Sequence, residues 1–373
     1  MAAAILAGSR ASDRDARQAG TEPSPIAVDA FHIVRTARIR RRSAPRLDHR
    51  GDSLDACLCR PDDGEQTTSP QCVGGFDTVT LRFGAYQYQH LDLDTLHERW
   101  QEAERLGFDV LWNCDTVVEP DRPRHVMHDG PTTLTLMAAT TSRIRVGTLV
   151  SSLYFRQPVT LAKATMTLDH LSAGRVELGL GVGDPSAGGP VAGVDWSPSE
   201  QVARFGEFVE LVDLLLRHEV TSYDGVYYRC AEAEVIPAPV QRPRPPITIA
   251  AHGPKMLSIA ARFADSWSSW GGYGVQTEAD FHRVTAERCH RFDDLVVRHG
   301  RDPEAIRHSL VCFPPLTPWE SPDYFTDMVG TFVAAGIDEF VLYWPNTWRP
   351  DASHERHSFE TIATEVIPKL REA

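Results

Sequence analysis

From Val79 onward, short β-branched runs alternate with longer stretches in which apolar residues recur at intervals of three and four. The short runs fall at 80–88, 109–114, 144–151, 175–183, 247–251, 265–270, 307–313 and 338–344, lengths suited to strands. In 92–106, Leu93, Leu96, Trp100, Ala103 and Leu106 share one helical face, with Asp92 or Asp94 as the cap and Gly107 as the stop. Pro158 opens another helix; Ala162, Thr165, Met166 and Asp169 follow at helical spacing, and Ser-Ala-Gly at 172–174 ends it. Further helical patterns lie at 200–217, 254–264, 277–299, 321–335 and 354–371. This alternation over 79–373 predicts an α/β chain folded as a parallel (β/α)8 barrel, counted as eight units. A doubly wound open sheet is the runner-up, but it needs an early nucleotide fingerprint that is missing. The stretch 218–246 is too long for a plain connection. Its Tyr223-Asp224-Gly225 turn and the later Pro237, Pro239, Pro243, Pro245 and Pro246 predict an insertion between the fourth helix and the fifth strand, hairpin-like and then extended.

Residues 1–75 break the pattern. They carry eleven arginines, no lysine and ten acidic residues, so this segment is near neutral and the remainder of the chain carries a formal charge of −14. With almost no apolar periodicity, this segment cannot bury enough surface to offset its ordering entropy, and it is expected to be disordered. A start assigned too far upstream would account for such an extension. A basic nucleic-acid arm is the alternative, but Asp13, Asp15, Asp48, Asp52 and Asp62 interrupt it. Cys57, Cys59 and Cys72 lack the partners of a metal knuckle. Over the whole chain, an acidic balance, seven scattered cysteines and no spanning-length apolar run point to a cytoplasmic globular protein without membrane or nucleic-acid partners.

In a barrel, chemistry collects at the carboxyl ends of the strands. Those ends hold Tyr86, Gln87 and Tyr88; Asn113 and Asp115; Ser151 and Ser152; Gly183 and Asp184; Ala251, His252 and Gly253; Trp267 and Trp270; Pro314; Tyr343 and Trp344. Aromatic rings, amides and glycine suit a flat cofactor better than they suit paired-carboxylate hydrolysis. Gly179, Gly181 and Gly183 lack dinucleotide-loop spacing, and small residues in a strand more simply permit close approach of a ligand or neighbour. His125 and His128 have a metal-like spacing without a matching pair, so no metal site is assigned. His252-Gly253-Pro254-Lys255 opens a helix where free N–H groups, the dipole and Lys255 would favour a phosphate; an ordinary capped helix with a surface lysine is the plain alternative.

The run GTLVSSLYFRQPVTLAKATMTLDHLSAGRVELGLGVG at 147–183 resembles the central signature of luciferase-like flavin- or F420-dependent oxidoreductases. EAERLGFDVLW at 102–112, PVQRPRPPITIAAHGP at 239–254 and AARFADSW at 260–267 agree with it. The resemblance implies a TIM barrel with an insertion over residues 79–373, binding reduced FMN from a separate flavin reductase, or coenzyme F420. It places the ring against a bulge at Val150-Ser151-Ser152, where relatives often have a strained or cis peptide. The phosphate would lie near Val182, Gly183 and Asp184, and near His252, Gly253 and Lys255. Many relatives carry an acidic residue followed by histidine after the second strand. This chain has Asp115 followed by Thr116, leaving His125, His128 or His252 to fill that role.

The resulting expectation is a monooxygenase with FMN, or a hydride-transfer enzyme with F420, acting on a small organic substrate. Asn113 and Asp115 would orient the reacting groups, and Tyr86, Trp267 and Trp344 would shape an apolar pocket. A non-catalytic flavin-binding partner and a metal-dependent barrel hydrolase are the alternatives. Substrate, cofactor choice and assembly, including a homodimer, stay open.

Overall fold

The computed structural model describes residues 81–117, 126–347, 350 and 352–372. The predicted disorder of 1–75, the cysteines at 57, 59 and 72, and His125 lie outside the described residues. In chain order the elements are β1 (Arg82–Tyr86), α1 (Leu93–Arg105), β2 (Val110–Asn113), α2 (Gly130–Thr140), β3 (Arg145–Ser152), α3 (Pro158–Leu171), β4 (Val176–Gly181), α4 (Pro185–Ala192) and α5 (Pro198–Arg217). There follow β5 (Val220–Asp224), β6 (Arg229–Glu234), β7 (Ile247–Ala250), α6 (Pro254–Phe263), β8 (Ser266–Ser269), α7 (Glu278–Arg298), β9 (Arg307–Val311), α8 (Pro322–Ala334) and β10 (Glu339–Tyr343). A last helix, α9 (His354–Thr361), continues through a π turn into α10 (Ile367–Glu372). Eight parallel strands close in the order β1-β2-β3-β4-β7-β8-β9-β10, the barrel that the alternating pattern predicts.

Local chemistry sets the boundaries. Asp92 accepts from the Thr95 N–H at 2.9 Å to start α1, and Asp129 accepts from Thr132 N–H at 3.0 Å to start α2. Proline occupies the first turn of α3, α5 and α6. The sequence pattern misses α2 because GPTTLTLMAAT has no polar face opposite an apolar one. It misses α4 as well, whose Pro and Gly content argues against a helix.

The insertion forms the predicted hairpin, with β5 and β6 antiparallel. Glu207 on α5 accepts from the backbone N–H groups of Val226, Tyr227 and Tyr228, so the turn is held against the outer helix layer and not over the barrel mouth. Buried Arg244 then ties the end of the insertion to Asp213 and Asp265.

Strand alternation divides the apolar residues into two layers. Outward residues such as Phe83, Leu111, Leu180, Ile249 and Trp267 pack beneath the helices. Tyr86, Val110, Trp112, Cys114, Leu149, Val311 and Val341 fill the barrel itself. The Trp112 ring occupies the centre because Gly147 lies beside it; a Cβ there would stand 2.3 Å from the indole. The amino end of the barrel is closed by charge. Buried Glu177 on β4 accepts from Arg82 of β1 at 2.7 Å and from Arg145 of β3. Glu339 of β10 sits 4.0 Å from Arg82, and burial pushes its carboxyl up to about 7.

Candidate active site

The carboxyl end of the same barrel opens into a cavity of about 550 Å³. One wall comes from β3 and β4. Their pairing shifts between Thr148 and Ser151, leaving Leu149 and Val150 out of register, and the Leu149–Val150 peptide is cis. The bulge is centred on Leu149–Val150, one residue before the expected Val150-Ser151-Ser152, and Ser151 and Ser152 pair regularly inside β3. Gly183 follows β4 with φ of +81°, and a Cβ there would lie 2.2 Å from Ser152 Oγ. Only glycine suits both the backbone conformation and the close approach.

Across the barrel, β9 stands four places from β3 in the ring. Phe313 beyond β9 packs edge-on against Tyr86, with centroids 5.8 Å apart, and against Trp270 at 6.1 Å. Trp270 in turn meets Tyr273 at 5.2 Å and His252 at 5.7 Å. The cavity is therefore a slot between a glycine-edged backbone shelf and an aromatic wall.

Polar groups are placed at its ends. Asp115, buried after β2, accepts a two-pronged ion pair from Arg156 at 2.7 and 2.5 Å. Arg156 also reaches Asp129 at 2.7 Å, and its hydrogen bond to Asp115 raises the guanidinium above its already high range. Asp115 thus fastens the loop after β3 to the end of β2. Asp184 caps α4, accepting from Ser186 N–H at 2.8 Å, and Tyr273 donates to its other oxygen at 3.4 Å. His252 Nε2 accepts from the Trp270 N–H at 3.3 Å. Burial, with Arg288 nearby, pushes His252 down to about 3. The ring is uncharged near neutrality, so its proton is on Nδ1. Gly253 caps α6 without a side-chain bond, and nothing lies within 4 Å of where its Cβ would be. The first N–H groups of α6 are correspondingly uncovered.

The structure brings Tyr86, Asp115, Ser152, Val182, Gly183, Asp184, His252 and Gly253 to the cavity. Three expected site residues do not line it. Asn113 is buried, donating to Gly130 O at 2.7 Å and to Thr133 Oγ1 at 3.1 Å, which ties α2 to β2. Ser151 pairs with Leu180 and is buried inside the β3–β4 ladder. Lys255 is exposed on α6. Trp267 and Trp344 also leave the expected pocket: Trp267 stacks on Phe292 at 4.7 Å and Trp344 packs on Phe359 at 5.1 Å, both in the layer under the helices. Cys114, Phe155, Met256 and Phe313 line the cavity without having been singled out from sequence, and Trp270, one of the expected strand-end residues, lines it too. Strand-end position indicates Trp270, but only the pleat separates it from Trp267. Thr116 lines the cavity where relatives carry histidine, His128 bonds to Leu91 O at 3.0 Å, and His252 is the described histidine on the wall. Among the described residues, no three His, Cys, Asp or Glu side chains are grouped to hold a metal ion, and no helix is long and apolar enough to cross a membrane.

A F420-dependent glucose-6-phosphate dehydrogenase of Kribbella flavida is 29% identical over 321 residues, covering 72% of this chain and 92% of that protein. A phthiodiolone/phenolphthiodiolone dimycocerosates ketoreductase of Mycobacterium bovis is 37% identical over 172 residues, 46% of this chain and 42% of that one. Among solved structures, a F420-dependent secondary alcohol dehydrogenase bound to an F420-acetone adduct superposes with a TM-score of 0.66 at 18% identity, over 78% of this chain and 99% of that one. A long-chain alkane monooxygenase matches with a TM-score of 0.63 at 14% identity, over 79% and 91%. The sequence model of the luciferase-like monooxygenases matches residues 73–362, and the chain belongs to that family.

Proposed function

We propose that the protein is an oxidoreductase that holds coenzyme F420, in preference to FMN, in the barrel-mouth slot and exchanges a hydride with a small, largely apolar alcohol or ketone. The observation that carries this is the slot itself: a bulged, glycine-edged shelf facing Tyr86, Phe313 and Trp270. The names of the curated relatives, among them F420-dependent dehydrogenases, support the choice of deazaflavin.

The residues fit such a group. The uncovered amino end of α6 at Gly253 leaves room for a phosphate, as the sequence pattern suggests. When bound, the deazaflavin supplies two-electron hydride chemistry without dioxygen. The chain's own part is placement and exclusion of water. Leu149, Val150 and Gly181 form the shelf, and Tyr86 with Trp270 closes the apolar side. Burial raises the Tyr86 phenol well above its usual range, so it remains a donor, here to Leu149 O at 3.3 Å. His252 offers Nδ1–H. Asp115, neutralised by Arg156, positions the loop and leaves proton exchange with substrate to solvent or a hydroxyl at the mouth. Among the described residues no lysine or arginine lines the cavity, which supports an uncharged substrate over a sugar phosphate.

The same proposal places the enzyme in the cytoplasm, where Cys114, Cys230, Cys289 and Cys312 stay reduced. A homodimer is part of it and is tested by sedimentation.

The experiment is titration of the protein with F420 and with FMN, followed by fluorescence, then turnover with the reduced and oxidised cofactor. Tighter F420 binding with oxygen-independent turnover is expected. Preference for FMN would overturn the cofactor choice and bring in the oxygenase reading with its separate flavin reductase. Binding without turnover of any alcohol or ketone would favour the non-catalytic partner.

A further inference from the structure

Arg288 lies behind the aromatic wall, on α7, and is half-buried. No carboxylate pairs with it among the described residues. Its Nη1 donates instead to Trp270 O at 2.6 Å, to Gly271 O at 3.2 Å and to Ser269 Oγ at 3.4 Å. A cation half removed from water and spent on backbone carbonyls is costly unless the geometry it fixes is useful. What it fixes is the backbone on both sides of the Ser269–Trp270 peptide. Arg288 reaches Ser269 Oγ before that peptide and Trp270 O after it, and the N–H between them points at His252 Nε2, 3.3 Å away. Because Nε2 is occupied as an acceptor, the imidazole proton must sit on Nδ1, which has no partner among the described residues while the ring lines the cavity.

We propose, on the reading of the cavity as a cofactor slot, that Arg288 is a positioning residue: through the Ser269–Trp270 peptide it holds His252 as an uncharged ring that presents Nδ1–H to an acceptor oxygen of the bound cofactor. Burial is the main reason the ring stays uncharged, and the Arg288 charge adds to it. The Trp270 N–H, 3.3 Å from Nε2, then selects the Nδ1–H tautomer. The titratable groups sharing the cavity with His252 are Tyr86, Cys114, Asp115, Asp184 and Tyr273, with Arg288 behind it. Of the two carboxylates, Asp115 is paired with Arg156 and Asp184 caps α4, so neither is aimed at the imidazole. The ring therefore keeps one tautomer across the physiological range, unlike an exposed histidine, which changes charge near pH 6.5.

The test uses the full-length protein and its Arg288→Met and Arg288→Lys variants. Nitrogen-15 spectra of the histidines report the tautomer of His252 between pH 5 and 8 without any cofactor present. In the parent the His252 signal should stay in the Nδ1–H form throughout. In Arg288→Met, with the ring still buried, the charged and Nε2–H forms should be more populated at pH 5 than in the parent, and Arg288→Lys, which keeps the charge and one donor, should restore the parent's behaviour. F420 affinity is measured in parallel as the ratio of variant to parent, which cancels titration of the cofactor itself. That ratio should depend on pH for Arg288→Met, with relatively tighter binding at the acid end as the ring gains charge. If Arg288→Met does not fold, Arg288→Gln carries the same test. An unchanged His252 signal and a flat ratio in the neutral variant would overturn the proposal. Failure of the parent to bind either F420 or FMN would instead overturn the reading of the slot, and the nitrogen-15 arm would still decide whether Arg288 fixes the ring.

Discussion

The two ends of this barrel bury polar groups in opposite ways. At the amino end Arg82, Arg145 and Glu177 pair with one another, and the Glu339 carboxyl buried beside them makes no hydrogen bond among the described residues. At the carboxyl end the charges are also paired, Asp115 with Arg156, but donors facing the cavity are left over: the first turn of α6 and His252 Nδ1. Spare polarity sealed among strands costs stability, whereas spare donors next to apolar rings and glycine at an open cavity build a site. Substitutions at the closed end should therefore cost stability and spare binding, and those at the open end the reverse.

The largest effect is expected at the closed end. Glu177→Ala leaves the half-buried Arg82 and Arg145 guanidiniums without their shared buried anion, a loss that approaches but does not exceed the roughly 3–5 kcal/mol of breaking a fully buried pair. Thermal denaturation should show a fall on the order of 10 °C. Cofactor affinity of the protein that remains folded should change by less than about twofold, since the cluster lies a barrel length from the slot. A loss of affinity matching the loss of stability would show that the two ends are coupled.

Next comes the open end. Gly183→Val forces a β-branched residue into φ of +81° and drives its Cβ into Ser152 Oγ. The backbone strain is roughly 1–3 kcal/mol. Displacing Ser152 and the bulge should weaken F420 binding by more than about tenfold, a larger share of function than of stability. Calorimetry and fluorescence titration on the same preparation compare the two.

A third contrast concerns pH. Glu339, raised to about 7 by burial, binds a proton in the fold at pH values where the unfolded chain has lost it. Its contribution to stability therefore falls as pH rises from the ordinary carboxylate range towards 7. His252, lowered to about 3, works the other way: the unfolded chain takes up a proton first as pH falls below 6.5, so stability is lost between about 6.5 and 3. Glu339→Gln should gain in melting temperature relative to the parent as pH rises from 4.5 to 7.5, by a few degrees at most. His252→Gln should flatten the acid limb instead. Parallel curves for Glu339→Gln and parent would show that this carboxyl titrates normally.

The barrel was legible because its strands are β-branched runs of the right length separated by capped, amphipathic helices. What failed was local. α2 has no polar stripe, so the periodicity that reveals α1 is silent there. Trp267 and Trp270 look alike in sequence, yet the pleat sends one under α7 and leaves the other on the cavity. Asn113 sits at the expected strand end, but its Nδ2 is taken by Gly130 and Thr133 and the side chain is buried away from the cavity lining. The glycines at 179, 181 and 183 were legible as points of close approach, and the neighbour they admit is the β3 bulge. The tautomer of His252 depends on a hydrogen bond from a residue eighteen positions away, and no spacing rule carries that.

The smallest effect separates two neighbours in one motif, Gly253 and Lys255. Both belong to the segment that the sequence pattern marks for a phosphate, and both were expected to contact it. Only Gly253 lines the cavity; Lys255 is exposed on the first turn of α6. A lysine in that position acts through solvent, where a unit charge is worth roughly 1 kcal/mol or less. Lys255→Ala should thus weaken F420 binding by less than about fivefold, and the effect should vanish at high salt. Gly253→Val should weaken it more, and independently of salt, because its side chain enters the open space over the N–H groups of α6 where a phosphate would approach. Neither variant should shift the melting temperature appreciably, since no atom lies within 4 Å of the added Cβ at 253. Riboflavin, which lacks the phosphate, provides the control: its affinity should be the same in both variants and in the parent. Equal, salt-sensitive losses in the two variants would mean that the lysine reaches over the helix end and grips the phosphate directly.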